Sequence, residues 1–317
     1  MNAPAPLAGR AVERAEEVLR ARIPERVRTG FSLAALTTFR IGGPAALFVE
    51  PETEEDLAAI SAAVGESGSP FTVIGKGSNV LISDRGFPGI VIRLGKGFRW
   101  TRREDTLLEA GAAMPLPAFA GIASSAGLSG LEFGIAIPGS VGGAVRMNAG
   151  AHHRSMSDAL ARVDVFSIGS GERVSLEPGD LDFRYRGSDL APDALVVGVQ
   201  VQLEPRSAVE VRREMDEARA WRRRTQPLAE PNCGSVFKNP PGDHAARLIE
   251  AAGGKKLAAG GAHVADKHAN FIVTSEGTRA ADVVELIRKV QDLVAARFDV
   301  HLETEVQLVG DLDPSAS

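Results

Sequence analysis

Cysteine is almost missing. Cys233 is the only one in 317 residues, so an intrachain disulfide and any cysteine-built zinc or iron–sulfur site are excluded. A basic excess is missing too. Lys and Arg number 36 against 41 Asp and Glu, and a net charge of −5 argues against a nucleic-acid partner. No apolar run approaches the ~18–20 residues that span a bilayer. The opening MNAPAPLAGRAVERAEEVLRAR has no apolar core of the kind a signal peptide carries. No membrane association is expected, and a cytoplasmic location is. Metal-ligand spacing is also lacking among His152, His153, His244 and His263, so no catalytic metal is expected. Aromatic residues are few: 13 Phe, two Trp and one Tyr stand against 34 Gly, which points to a loop-rich α/β or α+β protein. The length suits two or three domains rather than one small core.

What is present reads as alternating elements. Residues 1–9 read as a loose tail and Ala11–Arg22 as a helix with mixed charge. Thr38–Gly43 reads as a short extended piece, followed by a strand at Ala46–Val49. Thr53, followed by Glu54, Glu55 and Asp56, marks a helix start, and that helix runs to Gly68. Phe71–Ile74 and Val80–Ser83 read as strands, as do Ile90–Leu94 and Leu107–Glu109. Ala118–Ala126 looks helical. A long glycine-rich segment, 127–150, comes next. Val163–Ile168 and Arg173–Leu176 form a hairpin about Gly169-Ser170-Gly171, and Ala194–Leu203 is a further strand. A charged helix, Val209–Arg224, ends near a domain boundary. Beyond it lie helices at Ala245–Ala252 and Ala280–Phe298 and strands at Asn270–Val273 and Glu303–Val309, an order suggesting a smaller α/β domain.

Two glycine loops stand out. Gly75-Lys76-Gly77-Ser78-Asn79 joins strand to strand, so it is not the Rossmann fingerprint, and it lacks the ending of a P-loop. Its amides could form an anion nest, but taken alone it favours a tight turn. Ile137-Pro138-Gly139-Ser140-Val141-Gly142-Gly143-Ala144 shifts that balance, because two such loops suggest a cradle for a large phosphate-bearing cofactor. Structural use of the same glycines stays open. Near the C-terminal part, Asn232-Cys233-Gly234-Ser235-Val236-Phe237-Lys238-Asn239-Pro240 could hold a nucleophile or be only a loop running into a turn.

Seven runs then carry a resemblance, in one order from about Phe39 to Gly310. They are Thr38–Gly43, Gly75–Leu81, Gly130-Leu131-Glu132-Phe133 through Met147-Asn148-Ala149-Gly150, Phe183-Arg184-Tyr185-Arg186, Gly234–Pro240, Lys267-His268-Ala269-Asn270-Phe271, and Glu305-Val306. Each alone is weak, but their joint occurrence resembles the UDP-N-acetylenolpyruvoylglucosamine reductase (MurB) family of flavoenzymes. Ala136 stands where that family usually has glycine. His152 and His153 stand where an aromatic and a glycine are usual. Tyr185 is the only tyrosine, so the chain resembles the shorter branch without an extra tyrosine-bearing loop.

The resemblance implies an α+β fold: a two-subdomain FAD-binding module of the vanillyl-alcohol-oxidase/PCMH type plus a smaller α/β substrate domain. The corresponding division is 1–22 tail and helix, 23–95 and 96–224 FAD-binding subdomains, 225–310 substrate-binding domain, and 311–317 tail. It implies FAD held by Gly75, Gly77, Ser78 and Asn79 at the pyrophosphate and by Pro138, Gly139, Ser140 and Ala144 at the flavin. NADPH is the implied reductant, a UDP-sugar the implied substrate, and a monomer the implied state. The implied reaction turns an enolpyruvyl ether into a lactyl ether: hydride goes from the flavin to carbon 3 and a proton to carbon 2. Arg186 would grip the carboxylate as charge builds there. Glu305, which would repel an enolate if ionised, suits a hydrogen-bonded, proton-sharing role. Ser235 would give the proton, which demands a hydroxyl fixed in place. Lys238 and Asn239 would meet the UDP-sugar. On local sequence alone Arg186 reads rather as a surface arginine on a strand and Ser235 as a turn serine after Gly234, while a solvent-facing strand residue is the other reading of Glu305 and loop polarity that of Lys238 and Asn239. Arg222, Arg223 and Arg224 read as a solvated helix end, with attraction of ligand phosphates as the lesser reading. His268 and Asn270 could bind ligand or orient their strand. A sugar or alcohol oxidase of the same flavoprotein class, or a flavin-binding protein without turnover, remains the alternative.

Overall fold

The computed structural model describes the backbone of residues 5–312 and the side chains of residues 9–312. Of the tails expected at 1–9 and 311–317, residues 1–4 and 313–317 therefore lie outside the described residues. The chain forms two compact units. One gathers the residues up to Gly30, then Ala46–Lys76 and Pro88–Ala220; the other gathers Phe31–Ala45, Gly77–Phe87 and the residues from Trp221 on.

In the first unit, the helix begins at Ala5 rather than after residue 9, with Pro6 in its first turn where the missing N–H costs nothing. The helix Glu54–Ser67 starts as its sequence dictates. Thr53 caps it in a reciprocal box with Asp56, and Gly68 ends it in a left-handed conformation. A five-stranded antiparallel sheet carries the larger core. Its order is Arg173–Leu176, Leu160–Ser167, Ala194–Gln202, Leu107–Gly111 and Thr101–Glu104. The middle strand Ala194–Gln202 is buried along nearly its whole length, as its apolar run requires, while the edge Thr101–Glu104 is polar and exposed. Leu116–Ser125 buries Leu116, Phe119 and Ala123 in that core. A second sheet orders Val27–Ser32, Pro44–Val49, Phe87–Ile92 and Phe71–Val73, the last two in parallel. The glycine-rich segment 127–150 hides a short helix, Val141–Arg146. Gly142 and Gly143 mask it in sequence, but at Gly142 a Cβ would come within 2.9 Å of Ala112 Cβ, so the packing needs a bare backbone.

The second unit is built from three separate stretches around the core of Phe39, Ile41, Leu81, Val236, Phe237 and Ile287. Thr38–Gly43 is not extended. It turns at Thr38-Phe39, and Arg40 takes a left-handed φ of 60°. Thr37 Oγ1 drives this by accepting from Ile41 N at 3.2 Å and donating to Ile41 O at 2.9 Å. The helix Ala280–Phe298 buries Val283, Leu286, Ile287, Val290 and Val294, a helical stripe. Asp84 accepts from its first amides, Ala280 N at 2.8 Å and Ala281 N at 3.2 Å. Strand Ile272–Thr274 begins two residues after the expected start, because Asn270 bonds elsewhere. It closes an antiparallel sheet with Ala258–Ala259 and Ala262–Val264. The last strand is only Gln307–Val309, and it pairs in parallel with Val80–Ile82 rather than with Ile272–Thr274. No described helix is long and apolar enough to cross a membrane.

Candidate functional site

The first unit holds an open cleft bounded by Ile74, Gly75, Ser140, Gly142, Gly143 and Val196. Its floor is made by backbone approaching backbone. Leu116 N donates to Gly139 O at 3.0 Å, Val141 N to Met114 O at 2.9 Å and Gly142 N to Ala112 O at 2.9 Å. A Cβ at Gly75 would lie 2.5 Å from Ser140 Oγ, so the two glycine loops meet here and keep the space open only because Gly75 lacks a side chain. Ser140 is buried, caps the helix Val141–Arg146 and accepts from Gly143 N at 3.3 Å. Pro138 is exposed beside it. Ala144, however, is turned into the core at 3% exposure, and Gly142 and Gly143 line the cleft instead.

Four cations, Lys76, Arg93, Arg99 and Arg146, also line this cleft, and no carboxylate among the described residues does. A wall of that sign suits an anionic diphosphate. Arg146 is positioned by its main-chain partners: its guanidinium donates to Leu190 O at 3.4 Å, to Ala191 O at 3.1 Å and to Ala194 O. Burial lowers its pKa, and nearby Asp193 works the other way. These residues fit a dinucleotide such as FAD. Sequence reasoning missed the arginines. The available signal was Arg93, a charge that ends the apolar strand residues Ile90-Val91-Ile92.

The rest of the Gly75–Asn79 loop belongs to the second unit. Gly77 has φ +63°, and a Cβ there would lie 1.9 Å from Leu36 O. Its carbonyl accepts from Thr38 N at 3.0 Å. Ser78 is half-buried. Asn79 is committed to the fold: its Nδ2 donates to Glu305 O at 3.0 Å, and its carbonyl accepts from Gln307 N at 3.0 Å.

Asn79 thus ties the first loop to Glu305, and Glu305 in turn adjoins the Ser235 segment. Glu305 N donates to Val236 O at 2.7 Å, and Lys238 N donates to Glu303 O at 2.9 Å. From the opposite side, Val236 N donates to Asn270 O at 2.9 Å. The Asn270 side chain holds both main-chain groups of Phe237, accepting from its N at 2.9 Å and donating to its O at 2.8 Å. Gly234, at φ +83°, turns the chain into this segment, and Asn232 Oδ1 accepts from its amide at 2.9 Å. Ser235 is half-buried, and its hydroxyl has no hydrogen-bond partner among the described residues. Lys238 pairs with the exposed Glu303 at 3.2 Å, and Asn239 Oδ1 accepts from Ala245 N at 3.1 Å. Cys233 is 3% exposed. Burial, and secondly the charge of Glu305, push its thiol pKa far up, so it carries no thiolate for attack. His268 accepts from Asn270 N at 3.2 Å, and burial, then Lys255, lowers its pKa.

Arg186 belongs to the first unit and is not on a strand. It sits in a turn closed by an Arg184–Gly187 bridge, at a left-handed φ of 57°. Its guanidinium donates to Gly150 O at 2.9 Å and lies 4.9 Å over the Tyr185 ring. Ser235, Glu305, Lys238 and Asn239 thus belong to one unit, and Arg186, Gly75 and Ser140 to the other. No group of three or more His, Cys, Asp or Glu that could hold a metal ion occurs among the described residues.

Residues 45–177 match the sequence profile of an FAD binding domain, and residues 226–309 match that of the UDP-N-acetylenolpyruvoylglucosamine reductase C-terminal domain. The UDP-N-acetylenolpyruvoylglucosamine reductase of Heliobacterium modesticaldum is 46% identical over 280 residues, covering 87% of this chain and 88% of the relative. The chain belongs to the UDP-N-acetylenolpyruvoylglucosamine reductase family. The family member from Carboxydothermus hydrogenoformans is 42% identical over 93% of this chain and 98% of its own length. The crystal structure of the Thermus caldophilus family member superposes with a TM-score of 0.78 at 39% identity, over 90% of this chain and 98% of that one. The family's fold is the α+β architecture described above, and membership makes this chain an FAD-binding, flavin-dependent oxidoreductase.

Proposed function

We propose that this enzyme reduces UDP-N-acetylglucosamine enolpyruvate to UDP-N-acetylmuramate for peptidoglycan synthesis, with NADPH as the reductant. The observation that carries the reading is the Ser235 segment: a half-buried hydroxyl with no hydrogen-bond partner among the described residues, on a main chain held from both sides and next to Glu305. Such a hydroxyl is free to face a ligand while its backbone stays in place.

The net change adds a hydride at carbon 3 and a proton at carbon 2, turns one C=C into C–C, and oxidises NADPH to NADP⁺. Bound FAD supplies the hydride relay between nicotinamide and substrate. Gly75, Gly77, Ser78, Asn79, Pro138, Gly139 and Ser140 would hold it, with Lys76, Arg93, Arg99 and Arg146 balancing its diphosphate and Ala144 backing the loop from the core. Arg186 binds the substrate carboxylate and stabilises the enolate that forms when carbon 3 is reduced. Its donors are fixed beforehand by Gly150 O and the Tyr185 ring. Ser235 Oγ gives its proton to carbon 2 and recovers one from solvent. Glu305 shares a hydrogen bond at that site rather than presenting a bare charge. Lys238 exchanges Glu303 for the UDP-sugar, and Asn239 lines the same stretch. The same reading has a monomer acting in the cytoplasm on two small-molecule ligands.

The test is anaerobic. NADPH should bleach the flavin absorbance of the purified yellow protein, and the enolpyruvyl substrate should restore it. Fast recovery by oxygen alone, with no response to that substrate, would make it an oxidase instead.

A further inference from the structure

Serine is a weak acid, so Ser235 can serve only if its oxygen is aimed correctly. No side chain aims it, because its hydroxyl has no partner among the described residues. Aim must come from the main chain that carries it. One wall of that main chain is ordinary backbone: Glu305 N to Val236 O and Lys238 N to Glu303 O. The other wall is unusual. Where a neighbouring strand would present peptide groups, one side-chain amide takes their place, with Oδ1 and Nδ2 of Asn270 bonded to the N and O of Phe237. Asn270 is 4% exposed and Phe237 1%, so water cannot substitute. Asn270 O also accepts from Val236 N, and Asn270 N is pinned to His268 Nδ1. Every main-chain bond on this side of the Ser235 segment therefore runs through Asn270.

We infer that Asn270 is a positioning residue for proton delivery: its buried amide replaces a strand neighbour and fixes the direction of the Ser235 hydroxyl. The inference rests on the reading of Ser235 as the proton donor. Both polar atoms of the Asn270 side chain are committed to Phe237, so it acts through the Ser235 main chain. Its removal should slow the protonation step while leaving cofactor reduction and UDP-sugar binding nearly as they are.

The experiment uses the FAD-loaded enzyme in anaerobic stopped flow. Asn270→Leu keeps the branched outline and removes both side-chain bonds; Asn270→Asp keeps the acceptor for Phe237 N–H. Reduction by NADPH should stay within about twofold of the parent, and reoxidation by the enolpyruvyl substrate should fall roughly 10- to 100-fold in Asn270→Leu, less in Asn270→Asp. KM for the UDP-sugar should hold. In a Ser235→Ala background, Asn270→Leu should add no more than about a twofold further loss, because both act on one step. Hydrogen exchange gives a second readout: the Val236 and Phe237 amides, protected in the parent, should exchange faster in Asn270→Leu. An unchanged reoxidation rate in Asn270→Leu, with Ser235→Ala slow, overturns the inference and leaves Ser235 its role. An unchanged rate in Ser235→Ala overturns the donor reading and the inference with it. Independent, multiplying losses in the double variant, or loss of FAD and fold in both Asn270 variants, reduce Asn270 to a structural residue.

Discussion

The tripeptide Gly-Ser-Val occurs twice in this chain, as Gly139-Ser140-Val141 and as Gly234-Ser235-Val236. Both valines are fully buried. The serines differ. Ser140 commits its oxygen to Gly143 N and serves as a helix cap beside Gly75. Ser235 commits its oxygen to nothing among the described residues, and its main chain is held instead by Asn270 and Glu305. A cap is a stability device, and its hydroxyl is occupied. An unoccupied hydroxyl on a held backbone contributes little to stability and is available to a ligand.

Substitution at the two serines breaks this comparison most directly. Ser235→Ala should cut the substrate-driven reoxidation by about 10²–10⁴-fold with reduction by NADPH nearly intact, as read in stopped flow. The thermal midpoint should barely move. Gly77→Ala should follow in size. Its Cβ would overlap Leu36 O at 1.9 Å, so the cost exceeds the ~1–2 kcal/mol of left-handed strain alone and shows as a lower melting temperature. Paired Arg93→Gln and Arg99→Gln should weaken FAD retention roughly tenfold, more at low salt than at high, as measured by flavin fluorescence. Ser140→Ala should lower stability by about 1 kcal/mol through the lost cap, measured by urea unfolding. Equal effects of the two serine substitutions on reoxidation alone would end the distinction between them.

Cys233→Ala should be the mildest change and leave turnover intact. The native thiol should resist alkylating reagents at neutral pH and react once urea exposes it, because burial and then Glu305 hold its pKa far above the ordinary thiol value. The sign follows. Above the ordinary thiol pKa the unfolded chain loses this proton while the folded one keeps it, so the parent loses stability there as pH rises. Cys233→Ala should lose less.

Much of the chain's local structure is legible in short windows. The Thr53–Asp56 capping box, Gly68, the hairpin about Gly169-Ser170-Gly171 and the stripe of Ala280–Phe298 need only neighbours within one turn. So does the strand–loop–strand context of Gly75–Asn79, and the ordered motifs identify the family. Other features escape such windows. The helix Val141–Arg146 is hidden because Gly142 serves packing against Ala112, a contact 30 residues away. Arg40 and Arg186 take left-handed backbones that no propensity predicts for arginine.

What the sequence determined by itself, then, is which residue types stand in which order: the glycine loops, the lone cysteine, the Ser235 run, and the family they imply. The tertiary structure alone decided which partners those residues have. Asn270 and Glu305 reach the Ser235 segment from 33 residues and about 70 residues away. Asp84 caps a helix 196 residues on. Hydrogen bonds and burial act through space, so identical tripeptides became a helix cap in one place and, among the described residues, a hydroxyl without a partner in the other.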